Sequence, residues 1–260
     1  MKIAFIGAGR LATNLAPALQ KGGAEVVEVW SHTRASALSL ASKLDCAASW
    51  GRVETATKSA DCYLLAVKDA VLKDVIARLH EGREKALLTH TAGSMPLSLF
   101  KDAGHARGAV FYPLQTFSKE RQVDFSQVNF FLEATSHEDV EILRTLAERI
   151  TLAENIHELS SAGRRHLHLA AVFACNFTNH CLALSEEILH SYHLPFKVML
   201  PLVEETVKKL HVLSPHAAQT GPAIRGDKNV MGMQLSMLSD RPDLQQIYTL
   251  LSESIQHDRQ

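Results

Sequence analysis

The 260-residue sequence predicts an α/β protein in which a doubly wound parallel sheet is followed by an all-helical C-terminal domain. Three observations predict it. A strand, a glycine turn and a helix open the chain. Short apolar runs then alternate with helical patterns as far as residue 159. From Gly163 onward the pattern is helical nearly to the end, broken only at Leu194-Pro195, Ser214-Pro215, Gly221-Pro222 and Arg241-Pro242. The change of character places one domain at 1–159 and a second at 160–260.

Ile3, Ala4, Phe5 and Ile6 form the first buried strand, which breaks into Gly7-Ala8-Gly9-Arg10-Leu11-Ala12. Gly7 permits a tight turn, Gly9 lets a pyrophosphate approach the backbone, and the small Ala12 lets helix and strand pack closely. The helix that continues through Leu15, Leu19 and Lys21 offers its free N–H groups and positive dipole end to the phosphates. In this strand–turn–helix setting the segment predicts a dinucleotide site. Val26–Trp30 is the second strand and runs into Ser31-His32-Thr33-Arg34. A site for NAD places a carboxylate at this strand tip, on the ribose 2′-hydroxyl. Ser31 stands there instead, followed by Thr33 and Arg34, and these groups suit the 2′-phosphate of NADP(H). Glu28, the nearest acid, lies inside the strand, about 10 Å short of the tip. The alternative is that Arg34 is simply a solvated residue opening the next helix.

That helix spans Ala35–Leu44. Asp61–Val67 reads as a buried parallel strand, Asp69–Leu79 as a helix and Ala86–His90 as another buried strand. Further strands are expected at Gly108–Tyr112 and Val128–Glu133. Ser136 and Asp139 open a helix to Ile150 in the manner of a capping box, and Glu154–Leu159 supplies a last strand.

Hydrophobic residues make up 46% and charged residues 21%, as in ordinary globular proteins. A net charge of −1 gives no electrostatic case for nucleic acid or an anionic membrane. No apolar run of the sequence approaches a membrane span, and a chain that opens on a strand leaves no signal peptide. Cys46, Cys62, Cys175 and Cys181 lack CxxC spacing and lie in apolar patterns, so they read as buried thiols of a cytoplasmic protein. Of the 14 histidines, His166 and His168 point to different sides of a helix. His190 and His193 share a face but lack a third ligand, and no metal site is expected.

Ligands of open parallel sheets sit at the carboxyl ends of the strands. Those ends are Ala66-Val67-Lys68, His90 to Ser94, and Tyr112 to Phe117. Gly93 and Ser94 offer an N–H and a hydroxyl to a substrate carboxylate, and Gln115 and Thr116 are polar groups just past an apolar strand. Ordinary turn chemistry explains the same residues. On the helix at 163–190, His168, Val172 and Asn176 recur at i, i+4 and i+8 in an almost wholly apolar stretch. They form either a satisfied buried pair joining the domains, or a proton donor and an orienting amide facing a nicotinamide. Arg225 either clamps a carboxylate or pairs with Asp227 to cap the next helix. Phe173, Phe177, Leu182, Leu184, Ile188 and Leu189 exceed one buried stripe, which predicts a homodimer through the C-terminal helices.

GAGRLA, VWSHT, YPLQTF, HLAAVFACNF and TGPAIRGD together resemble, over nearly the whole chain, the bacterial proteins that join a Rossmann-like domain to the helical domain DUF2520. The resemblance implies distant kinship with 6-phosphogluconate and β-hydroxyacid dehydrogenases, pyrroline-5-carboxylate reductase and ketopantoate reductase. It further implies a helical domain like the C-terminal one of 6-phosphogluconate dehydrogenase, often dimeric, closing over the nicotinamide. Its functional implication is NADPH-dependent reduction of a C=O or C=N group in a small carboxylate. The dehydrogenase relatives carry Lys-xxx-Asn on the central helix. Here position 172 is Val, and no Lys lies between Ser160 and His193, which leaves His168 as the substitute acid beside Asn176. Ser94 and Arg225 are then expected to hold the carboxylate, with the four groups converging on one cleft. The departure keeps open a non-catalytic NADP-binding sensor or assembly protein. A reductase that pairs NADP with a deazaflavin such as F420 is the remaining alternative.

Overall fold

The computed structural model describes residues 1–257. The chain separates into two compact units, Met1–Cys175 and a second that begins at Asn176.

The first unit is built on eight strands: β1 Lys2–Ile6, β2 Glu25–Ser31, β3 Ala47–Trp50, β4 Cys62–Leu65, β5 Leu87–His90, β6 Gly108–Pro113, β7 Phe130–Ala134 and β8 Ile156–Glu158. They form one sheet in the order β3-β2-β1-β4-β5-β6-β7-β8. The first six run parallel. The expectation of a parallel sheet is corrected at the far edge, where β7 pairs antiparallel to β6, with Phe111 opposite Leu132, and β8 follows β7. The reason is the connection: residues 114–129 contain no crossover α-helix, and a parallel return requires one. Helices α1 Arg10–Lys21, α2 Arg34–Leu44, α3 Asp69–Leu79, the short α4 Leu99–Asp102 and α5 His137–Ala147 cover the sheet. Successive residues of β1 serve opposite faces. Ile3 and Phe5 join Leu15, Leu19, Phe111 and Leu143 in one core, while Ala4 and Ile6 join Tyr63, Leu72, Ile76 and Phe100 in the other.

Three polar side chains stitch the loops of this unit. Asn14 on α1, nearly buried, donates to the carbonyls of Arg10 and Ser118 and accepts from the Val123 amide, fixing the loop that follows β6. Arg83 donates to the carbonyls of Thr57, Leu79 and Ala56. Glu28 accepts from the Thr57 amide, so the acid inside β2 has a structural role. The capping-box expectation at Ser136 holds in form: its hydroxyl accepts from the Asp139 amide at 3.1 Å, and Asp139 is also paired with Arg107.

Helix α6, Ser161–Ala171, passes through a π-helical turn, Val172–Phe177, into α7, Thr178–His190. The i, i+4, i+8 spacing of His168, Val172 and Asn176 assumes an α-helix throughout, and the π turn replaces i+4 by i+5 bonding over its second half. The whole run, Ser161–His190, is 30 residues and by length and composition apolar enough to cross a membrane. Scattered polar residues interrupt it, so it contains no long unbroken apolar run. The second unit continues with α8 Leu200–Lys209, α9 Pro215–Ala218, α10 Pro222–Arg225, α11 Lys228–Ser236 and α12 Pro242–His257. It leaves many apolar side chains exposed, among them Ile188, Leu202, Val212, Met237 and Leu250.

Two further expectations are corrected. Cys62 is buried and Cys46 partly so, but Cys175 and Cys181 are exposed, because an apolar helical pattern does not distinguish a core from a surface. Helix α7 ends at His190, and His193 lies beyond it at φ +56°, so the two do not share a helix face. Among the described residues no group of three or more His, Cys, Asp or Glu is placed to hold a metal.

Candidate active site

The carboxyl ends of β1, β4, β5 and β6 lie side by side. At an interstrand spacing near 4.8 Å, the step from β1 to β5 is about 10 Å and to β6 about 14 Å. An extended dinucleotide anchored at β1 therefore reaches the β5 and β6 ends.

Gly7 sits at φ +114°, and a Cβ there would lie 2.8 Å from the Ala66 carbonyl carbon, so only glycine lets the turn pass β4. Gly9 caps α1 with no side-chain bond to the helix, and no acid occupies the first turn, which leaves that helix start open to phosphate. Ala8 and Ala12 are buried, Leu11 is partly so, and Gly9 and Arg10 are exposed. At the β2 tip Ser31 is nearly buried, and Thr33 caps α2, again with no side-chain bond to the helix and no acid in the first turn. The Thr33 hydroxyl donates to Ser36 at 2.9 Å. The Arg34 guanidinium lies 5.1 Å over the exposed Trp50 ring. Arg34 is exposed at the start of α2, with its guanidinium set against an aromatic face, and sequence reasoning missed Trp50 because β3 itself was not foreseen. Ala66 and Val67 are half-buried between β4 and α3, and Lys68 is the exposed residue that opens α3.

The catalytic candidates divide between the two compact units. Ser94 and His168 belong to the first, Asn176 and Arg225 to the second. The Ser94 hydroxyl is hydrogen-bonded to Asp69 at the start of α3. Gly93 packs on the His168 ring, and a Cβ at 93 would lie 2.6 Å from His168 Nδ1 and 2.8 Å from Tyr112 Cζ. His168 is half-buried, and its Nδ1 lies 3.1 Å from the Tyr112 hydroxyl. Burial raises the Tyr112 phenol above its ordinary pKa, with the Arg164 charge opposing. Gln115 Oε1 accepts from the Thr116 amide, so these two polar residues serve their own turn. Asn176 is exposed within the π turn. Arg225 is exposed and, among the described residues, makes no ion pair with Asp227, which alone caps α11 through the Val230 amide.

The placement of His168 depends on residues that sequence reasoning missed. Arg164, wholly buried on α6, pairs with Glu133 of β7 at 2.5 Å and donates to the Met95 carbonyl. Glu133 also accepts from the amide and hydroxyl of Ser161, and Ser161 accepts from the Leu97 amide. The start of α6 is thereby fixed to β7 and to the loop after β5. The signal was available: a buried-pattern helix beginning Ser-Ala-Gly-Arg-Arg has to neutralise any arginine it turns inward.

Two family models match the chain: the NADP oxidoreductase coenzyme F420-dependent family over residues 2–93 and the domain of unknown function DUF2520 over residues 128–255. No curated protein matches it. Among solved structures, a Bacteroides fragilis protein provisionally described as an NADP oxidoreductase is 47% identical, with 98% of each chain covered and a TM-score of 0.93. Plasmodium falciparum pyrroline carboxylate reductase, solved with NADP bound, is 11% identical over 100% of this chain and 98% of that one, at a TM-score of 0.62. An imine reductase from Myxococcus stipitatus in complex with NADP+ is 17% identical over 99% and 93%, at 0.65. The last two are similar in fold. The first, at its level of identity and coverage, shows that this chain belongs to the family of the Bacteroides fragilis protein, in which a Rossmann-like domain precedes a DUF2520 domain.

Proposed function

We propose that the protein is an NADP(H)-dependent oxidoreductase that reduces a C=O or C=N group of a small carboxylate, with His168 supplying the proton. The observation that carries this reading is the half-buried imidazole of His168 against Gly93, at the strand ends that a dinucleotide held by the Gly7–Ala12 turn would reach. The cofactor assignment is supported by the uncapped, acid-free starts of α1 and α2, by Arg34 over Trp50, and by the description of the family model matched at residues 2–93. When bound, the nicotinamide supplies a hydride to the carbon of the substrate. Ser31, Thr33 and Arg34 hold the 2′-phosphate, and Ala66, Val67 and Lys68 line the cofactor at the β4 end. In this reading His168 gives its proton to the oxygen or nitrogen that gains charge and Ser94, on the same unit, holds the carboxylate, while the roles of Asn176 as orienting amide and Arg225 as carboxylate clamp rest on the sequence alone. Residues 160–260 then form the substrate and dimerisation domain of a cytoplasmic homodimer. The exposed apolar side chains of the C-terminal helices support a second copy as their cover, and sedimentation as a single 28.6 kDa species at micromolar concentration would overturn that part.

The test is NADPH oxidation against 2-oxo acids and cyclic imino acids. His168→Ala is expected to lower turnover by about 10²–10⁴ while NADPH affinity is retained, and unchanged turnover removes His168 from the reaction. Arg34→Ala is expected to weaken NADPH much more than NADH, and equal weakening would overturn the 2′-phosphate assignment.

A further inference from the structure

Tyr112 ends the apolar part of β6 and is nearly buried, with its ring against Phe131 and edge-on to His168. Its hydroxyl reaches the His168 ring at one atom only, Nδ1, at 3.1 Å. The approach is permitted by the absence of a side chain at Gly93, since a Cβ there would overlap both rings. It is held by the Arg164–Glu133 pair one turn earlier on α6. A buried phenol, a glycine and an ion pair thus combine to present one edge of a single imidazole to one oxygen.

We propose that Tyr112 is a positioning residue: its oxygen accepts the Nδ1–H of His168, so that Nε2 is the nitrogen that exchanges the proton. This rests on the reading of His168 as the proton donor. In the imidazolium both ring nitrogens carry hydrogen. Nδ1–H stays bonded to Tyr112 throughout. The Nε2–H bond breaks as the new O–H or N–H bond forms on the reduced substrate, and the neutral ring that remains carries its hydrogen on Nδ1. Solvent then returns a proton to Nε2. In the oxidative direction the same lone pair on Nε2 is the base. Tyr112 itself neither gains nor loses a proton, in keeping with a phenol whose ionisation burial opposes.

Nitrogen NMR of the histidine-labelled full chain tests this, with the pH raised until the His168 signals stop moving. In the wild-type protein the neutral His168 is expected to carry hydrogen on Nδ1. Tyr112→Phe, which keeps the ring, is expected to shift the hydrogen toward Nε2 and to lower kcat about tenfold with NADPH affinity unchanged, the worth of one oriented hydrogen bond. Hydrogen on Nε2 in the wild type, or a tautomer unmoved by Tyr112→Phe, overturns the proposal even if His168→Ala is inactive. A tautomer shift with full turnover upholds the pairing and overturns His168 as the donor instead.

Discussion

Glu133→Ala is expected to cost the protein about 3–5 kcal/mol of stability, a large share of the 5–15 kcal/mol that holds a typical domain folded. Arg164 is wholly buried, and its charge is met by Glu133 at 2.5 Å. Its remaining contacts are the neutral Met95 carbonyl and the Ser161 hydroxyl. Without the carboxylate the cation stays buried and uncompensated, and removing one partner is the costly way to break such a pair. Glu133 also accepts from the Ser161 amide in the first turn of α6, so the positive end of that helix loses its anion as well. The double variant Glu133→Leu/Arg164→Met removes both charges while keeping volume, and is expected to recover most of the loss. Urea midpoints of the three proteins give the answer. A single-variant loss below about 1 kcal/mol, the range of an exposed pair, would show that the Arg164 charge is not buried in solution.

The same pair marks the limit of what the sequence makes legible. The strands β1, β4, β5 and β6 are readable because both of their faces are covered, so each carries a short, mainly apolar run. Ala47–Trp50 is not: it is the edge strand, half-exposed, with three small residues before its tryptophan, and it looks like loop. The reversed direction of β7 is hidden because alternation of strands records their existence and not their sense. At the site, Gly7–Ala12 is legible because a phosphate turn is local chemistry, written in six consecutive residues. The pairing of Tyr112 with His168 spans 56 residues, that of Glu133 with Arg164 spans 31, and the grip of Asn14 on Ser118 spans 104. Such contacts follow from the order in which strands are laid side by side, and no local spacing encodes them. Tyr112 therefore reads in the sequence as one more apolar strand residue. The exposed Cys175 and Cys181 show the converse failure, since an apolar helical pattern does not by itself say whether a face is buried.

Acid is expected to destabilise the protein through His90, and His90→Asn is expected to relieve that loss. His90 ends β5 in full burial, stacked on Phe100 with ring centroids 5.5 Å apart. Its Nδ1 accepts from the Ala92 amide, and its Nε2 has no hydrogen-bond partner among the described residues. Burial, joined by the nearby Arg164 charge, pushes its pKa down from 6.5 to about 3. The folded state therefore keeps the ring neutral over a range where the unfolded chain binds a proton. Stability is undiminished above about pH 6.5 and falls as the pH drops through the window down to about 3, because there the unfolded state holds more protons. Across the whole window the loss amounts to about 5 kcal/mol at most, at 1.36 kcal/mol for each unit between the two values. Asparagine can still accept from the Ala92 amide but does not titrate. The variant's packing cost is the same at every pH and drops out when slopes are compared. Denaturant unfolding at a series of pH values from about 4 to 7 should show a steeper acid loss in the wild type than in His90→Asn. Parallel slopes would mean that the ring is protonated in the folded state, and so that the base of the Thr91–Ser94 loop admits water.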